Sequence, residues 1–151
     1  MLATLMHHAA RRAGLHVLGV YGRPLDAQQA LPGRFAVRRL GEDELLALCV
    51  DPELDLRESF VRMGHACIGA FAGSELAGYV WFAYGDAPHV DGVRVGVPEH
   101  AVYRFKAFVR PAYRGQGSAT LLYRAGDRMV ARPGRSQVVN CVAVQNASSI
   151  A

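Results

Sequence analysis

The stretch Arg110-Pro111-Ala112-Tyr113-Arg114-Gly115-Gln116-Gly117-Ser118-Ala119 holds the residue types best suited to chemistry. Two glycines flank one glutamine immediately before a segment with helical spacing. Glycine tolerates φ > 0 and lets a ligand approach the backbone. The first N–H groups of a helix have no internal acceptor, and the helix dipole adds partial positive charge to them. Arg110 and Arg114 add two full charges nearby. The expected ligand is a phosphate or diphosphate. A P-loop would need G-x-x-x-x-G-K-[ST], and this stretch has no lysine. A dinucleotide fingerprint would need a third glycine where Thr120 stands. Spacing alone also allows Gly117 simply to start a helix.

The elements that must position this loop can be read on either side of it. Ala101 to Val109 (AVYRFKAFV) is predicted as a strand, Ser118 to Ala131 as a helix stopped by Pro133-Gly134, and Gln137 to Val144 as a further strand. The helix's apolar positions are Ala119, Leu122, Tyr123, Met129 and Val130. The strand–helix–strand unit predicts a parallel pair joined by a crossover. Upstream, Phe35 to Leu40 alternates as a strand. A helix opens at Gly41 with an acidic first turn and runs to Cys49. A second helix is expected from Leu54 to Gly64, with Leu56, Phe60, Val61 and Met63 as its stripe. Ala66 to Phe71 and Leu76 to Ala83 form a hairpin around a Gly73-containing turn. Residues 84–100 read as a long loop, a length that favours function. The fold class is mixed α/β (α+β), with antiparallel and parallel strand pairs in one sheet. Residues 1–33 read as an N-terminal extension, with a helix over Leu2–Ala13, a strand over Leu15–Tyr21 and a linker; residues 34–151 form the main domain.

Composition narrows the function classes. The net charge is +4 and sixteen of the seventeen basic residues are arginine, Lys106 being the exception. Arginine suits forked contacts to phosphate oxygens, but the charges are spread along the chain, so nucleic acid is not the expected partner. No apolar run approaches the ~20 residues of a membrane helix. Cys49, Cys67 and Cys141 are too widely spaced for a zinc framework, so no metal is expected, and reduced thiols suit a cytoplasmic setting. Tyr79, Trp81 and Tyr84 read as hairpin core more readily than as an acceptor pocket.

Arg114-Gly115-Gln116-Gly117-Ser118-Ala119 resembles the (Q/R)-x-x-G-x-(G/A) motif of the GCN5-related N-acetyltransferases, and Val109-Arg110-Pro111 is similar to the V-x-P sequence that precedes it there. Val144-Gln145-Asn146-Ala147-Ser148 resembles the family's segment after its fifth strand. The resemblance covers about residues 34–151. It implies acetyl-CoA as co-substrate and direct attack by a primary amine of a small molecule or peptide on the thioester. By the same resemblance, the amides of Arg114, Gly115, Gln116, Gly117, Ser118 and Ala119 hold the diphosphate. Backbone groups of Ala107, Phe108 and Val109 pair with the pantetheine arm, which needs a splay beside that strand, and Asn146 lies near the arm. An amide of the 107–109 stretch polarises the thioester carbonyl.

In several members of that family the base is a carboxylate at a position matched here by Tyr103, so that carboxylate is missing. Glu99, His100 and Tyr103, in that order, are the candidates for proton transfer. Asp86, Asp91 and Glu99 are where a cationic acceptor would sit. Against the family's pattern the chain is expected to be truncated at its C-terminus: it stops before the usual tyrosine acid and lacks the last helix and hairpin, which leaves a sheet edge that a homodimer would cover. A catalytically inactive CoA-binding or regulatory module is the alternative reading.

Overall fold

A computed structural model describes residues 18–24, 34–54, 56–88 and 94–143. The expected helix over Leu2–Ala13, Asp91 and the Asn146 segment lie outside these residues. The main sheet is built from β1 (Leu18–Pro24), β2 (Ala36–Arg39), β3 (Ala66–Ala72), β4 (Glu75–Ala83), β7 (Ala101–Val109) and β8 (Gln137–Ala143), in the order β1-β8-β7-β4-β3-β2. All neighbours are antiparallel except β7 and β8. The fold is the mixed α/β arrangement expected from the sequence. Within the long segment after β4, two-residue strands β5 (Ala87–Pro88) and β6 (Arg94–Val95) form a small separate ribbon.

The period-2 alternation of the strands sends side chains to two different covers. Tyr79, Trp81, Tyr103 and Phe105 face one side, where Leu45 of α1 (Glu42–Leu48) and Phe60 and Val61 of α2 (Glu58–Arg62) complete the core. Ile68, Val80, Phe82 and Val102 face the other, under Leu122 and Val130 of α3 (Ser118–Val130). Tyr79 and Trp81 are fully buried, which makes them core residues.

Three elements differ from expectation. The second helix spans only Glu58–Arg62, because the residues ahead of it are bonded elsewhere. The N–H of Glu53 donates to Asp51 Oδ1 at 2.9 Å, and the Leu54 carbonyl accepts the Tyr79 hydroxyl. Leu54 and Leu56 are thus buried outside a helix, while Met63, expected on the stripe, is 44% exposed. On α3 the buried face is Ser118, Leu122, Gly126, Asp127 and Val130, and Met129 is out in solvent. Gly126 sits there because a Cβ would come within 2.7 Å of the Phe82 ring, so the helix lies close on the sheet.

The third difference is at the sheet edge. β1 pairs with β8 over seven positions, from Leu18↔Ala143 to Pro24↔Gln137. The outer edge of β8 is therefore paired within the chain, by a strand from the segment that the sequence reading set apart as an extension.

Candidate functional site

The glycine loop connects β7 to α3 through a single 3-10 turn, Pro111–Tyr113. Gly115 and Gly117 take φ of +70° and +78°, conformations that cost most other residues ~1–2 kcal/mol. Gly117 caps α3 without a side-chain hydrogen bond, so no side chain of the cap competes for the first amides of the helix. A Cβ at either glycine would meet nothing within 4 Å, so the space over the loop is open.

Neighbouring side chains brace the loop. Ser118 is buried and its hydroxyl donates to the Tyr113 carbonyl at 2.9 Å. Gln116 Nε2 donates to the Ala112 carbonyl at 2.7 Å, while its Oε1 accepts from Arg34 at 2.8 Å. Arg114 Nε donates back to the Val109 carbonyl at 3.0 Å. Arg34, just ahead of β2, thus contributes a charge at the loop that sequence spacing did not reveal.

Arg110 does not serve as expected. Its guanidinium turns to the opposite side, donating to the Leu76 carbonyl at 2.9 Å, to Asp51 at 2.6 Å and to Glu53 at 2.5 Å. The hydrogen bond from Arg110 holds the Asp51 carboxyl below its usual range. Arg110 is a clamp joining the α1–α2 connection to β4 and β7. Arg110→Ala is expected to lower stability by ~1–3 kcal/mol in urea unfolding, without a selective loss of anion affinity at the loop.

Beside the loop the sheet opens. β7 and β8 pair only at Ala101↔Gln137, Val102↔Val138 and Tyr103↔Val139. Both strands continue past that point, β7 to Val109 and β8 to Ala143, without pairing with each other. The vertex of this splay is bridged on both faces. Tyr103 hydrogen-bonds with Cys141 on one face, and Arg104 donates to Asn140 Oδ1 at 3.0 Å on the other. Burial pushes the Tyr103 phenol well above its ordinary pKa, and the Cys141 thiol adds to the rise.

On its other edge β7 carries a bulge. Tyr79↔Phe108 and Trp81↔Phe105 are partners, so Lys106 and Ala107 together oppose Val80. Lys106 takes φ +49°, the only non-glycine residue with positive φ among those described. The bulge also shifts the alternation. Phe108 stacks on Tyr79 at 5.6 Å, on the same face as Phe105 rather than the opposite one.

Glu99 and His100 are exposed in the turn before β7, where the His100 carbonyl accepts the Ser136 N–H at 2.9 Å. The Ala101 N–H donates to the Pro98 carbonyl at 2.9 Å, so Glu99 and His100 belong to a turn at the start of β7, off the strand that carries Tyr103. Among the expected proton-transfer residues, only Tyr103 stands at the splay vertex. The sequence did not single out a further titratable group, His65, which the fold brings against β7. The His65 ring packs edge-on against Phe105 at 5.4 Å, and its Nε2 has no hydrogen-bond partner among the described residues. Trp81, whose indole lies 6.4 Å from the same Phe105 ring, has an Nε1 without a partner too. Burial, then the nearby Arg94, lowers the His65 pKa, so the ring is neutral in the folded protein. Nothing in the sequence around Gly64-His65-Ala66 marks this residue; only the chain reversal after α2 brings it to Phe105. Because folding depresses this pKa, acid favours the unfolded chain as pH falls through the ordinary histidine value of about 6.5. His65→Phe is therefore expected to flatten the loss of thermal stability between pH 7 and 5, read as melting temperature against pH.

Comparison with known proteins agrees with this geometry. The model of the acetyltransferase (GNAT) family matches residues 35–151. No curated protein sequence matches the chain. Among solved structures, it is similar to a tandem GNAT protein from the clavulanic acid biosynthesis pathway, at 20% identity and TM-score 0.60, covering 93% of this chain and 50% of that one. It is also similar to a GNAT-family protein described as a putative acetyltransferase from Novosphingobium aromaticivorans, at 19% identity and TM-score 0.51, over 89% of this chain and 65% of that one. A Drosophila protein gives TM-score 0.54 at 16% identity, over 98% of this chain and 50% of that one. The chain thus spans between half and two-thirds of the length of these structures. These likenesses show the fold, and the match over 35–151 shows the family: the chain belongs to the GNAT acetyltransferases.

Proposed function

We propose that this chain binds acetyl-CoA and transfers its acetyl group to a primary amine of a small molecule or peptide. One observation carries the reading: an open glycine loop with no side-chain cap stands at the end of the same strand that splays from its neighbour. An anion held at the loop leaves an extended arm lying along Ala107–Val109, in the gap towards β8. Acetyl-CoA has that shape, with a diphosphate at one end and a thioester at the other.

In this reading the amides of Arg114 to Ala119 hold the diphosphate, with Arg34 and Arg114 adding charge. Backbone groups of Ala107, Phe108 and Val109 align the arm as an added strand, and the family resemblance assigns Asn146 to the same arm. An amide of the 107–109 stretch then polarises the thioester carbonyl. The acceptor amine must be neutral to attack. A carbon–nitrogen bond then forms as the carbon–sulfur bond breaks. Tyr103, kept protonated by burial, suits the proton donor to the departing thiolate better than the base. Glu99 and His100, exposed in the turn before β7, act through relaying water in this reading; His65, whose Nε2 has no hydrogen-bond partner among the described residues, is a further candidate proton acceptor.

Calorimetry with acetyl-CoA, paired with thiol release over a panel of primary amines, tests both halves. Micromolar binding with turnover of at least one amine is the expected result. Absence of binding overturns the reading. Binding with no turnover favours a non-catalytic CoA-binding module.

A further inference from the structure

Beyond Tyr103↔Val139, β8 has lost β7 as a neighbour, and among the described residues β1 is its only partner in the sheet. One wall of the splay therefore stands on a strand that lies outside the segment matching the family. A chain of polar side chains runs from that strand to the vertex. Arg23 of β1 pairs with Asp127 of α3, whose carboxylate is fully buried. Asp127 lies 3.8 Å from Arg104 of β7, whose guanidinium is 11% exposed and stacks 3.9 Å over the Tyr123 ring. Arg104 in turn donates to Asn140 of β8 at 3.0 Å. The network is not saturated: Arg104 Nη1 has no hydrogen-bond partner among the described residues.

We propose that Arg23 and Asn140 are positioning residues for the acetyl-CoA arm, the Arg23–Asp127–Arg104–Asn140 chain setting how far β8 stands from β7. The inference rests on the acetyl-CoA reading above. Its physical basis is competition for Arg104. While Arg23 neutralises Asp127, Arg104 can reach across to Asn140. Without Arg23, the buried carboxylate is drawn towards Arg104. Closing 3.8 Å to a charge-assisted hydrogen bond of ~2.8 Å draws Arg104 about 1 Å from Asn140. That movement releases β8 where the arm must lie. The loop, at the far end of β7, is untouched by it.

The test measures the binding of two ligands by calorimetry at a temperature where melting curves show every variant folded. Acetyl-CoA reads the loop and the splay together; adenosine 3′,5′-diphosphate reads the phosphate end alone. Arg23→Gln and Asn140→Ala, at opposite ends of the chain, are each expected to weaken acetyl-CoA at least fivefold and to change the nucleotide less than twofold. Arg23→Lys, which keeps the charge, is expected to restore acetyl-CoA to within about twofold of the parent. Equal affinities for acetyl-CoA in parent and both variants, or equal losses for the two ligands, would overturn the inference while leaving the function standing. A parent protein that binds neither ligand overturns the acetyl-CoA reading itself, and the inference with it.

Discussion

Gly117→Trp is expected to weaken acetyl-CoA binding by at least ~100-fold. The indole would fill the open space over the loop and cover the first amides of α3. Losing two charge-assisted hydrogen bonds at ~1.5 kcal/mol each already gives that factor. Two separate effects meet at this position, and a second variant divides them. Gly117→Ala keeps the space open but must hold φ near +78°, at ~1–2 kcal/mol of folding stability. It should lower the melting temperature and reduce affinity less than tenfold. If Trp and Ala bind acetyl-CoA equally well, the loop is a turn and nothing more.

Asp127→Ala is expected to cost ~3–5 kcal/mol of folding stability, the largest loss from any single side chain on α3. The carboxylate is fully buried, and its removal leaves the Arg104 guanidinium, 11% exposed, without its counter-ion. A domain holds ~5–15 kcal/mol in all, so the melting temperature should fall by ~10 °C or more. Arg128→Ala, one residue on and exposed, should stay within about ±0.5 kcal/mol. Circular dichroism melts of the two variants decide it. A small loss for Asp127→Ala would mean that the Arg23 and Arg104 contacts contribute little.

The parts legible in the sequence were those set by local physics. The glycine loop is a local device: two glycines, a helix start and a preceding strand all lie within twenty residues, and the structure has each in place. The hairpin of β3 and β4 and the strand Ala101–Val109 were equally readable, because alternation and a Gly73 turn are local. What escaped depends on distant partners. Arg110 could be counted as a charge, but only the fold reveals that Asp51 and Glu53 claim it. Asp127 looks like an ordinary surface residue of a helix until Arg23, over a hundred positions away, is brought against it. His65 carries no motif, and its neighbour Phe105 comes from a strand forty positions further along the chain. The pairing of β1 with β8 joins the two ends of the described chain, which no local pattern could announce.

The bulge at Lys106 and Ala107 makes β7 behave as a ratchet with one tooth out of step. Upstream, odd-numbered Tyr103 and Phe105 face α1 and α2; downstream, even-numbered Phe108 does. Running the same residues through an unbulged ladder would send Phe108 to the wrong cover, whereas deleting one of the pair would restore plain alternation with Phe108 still opposite Tyr79. The extra residue is thus a length change that this central strand has absorbed without exchanging its two faces, because the bulge takes it up before Phe108 is reached.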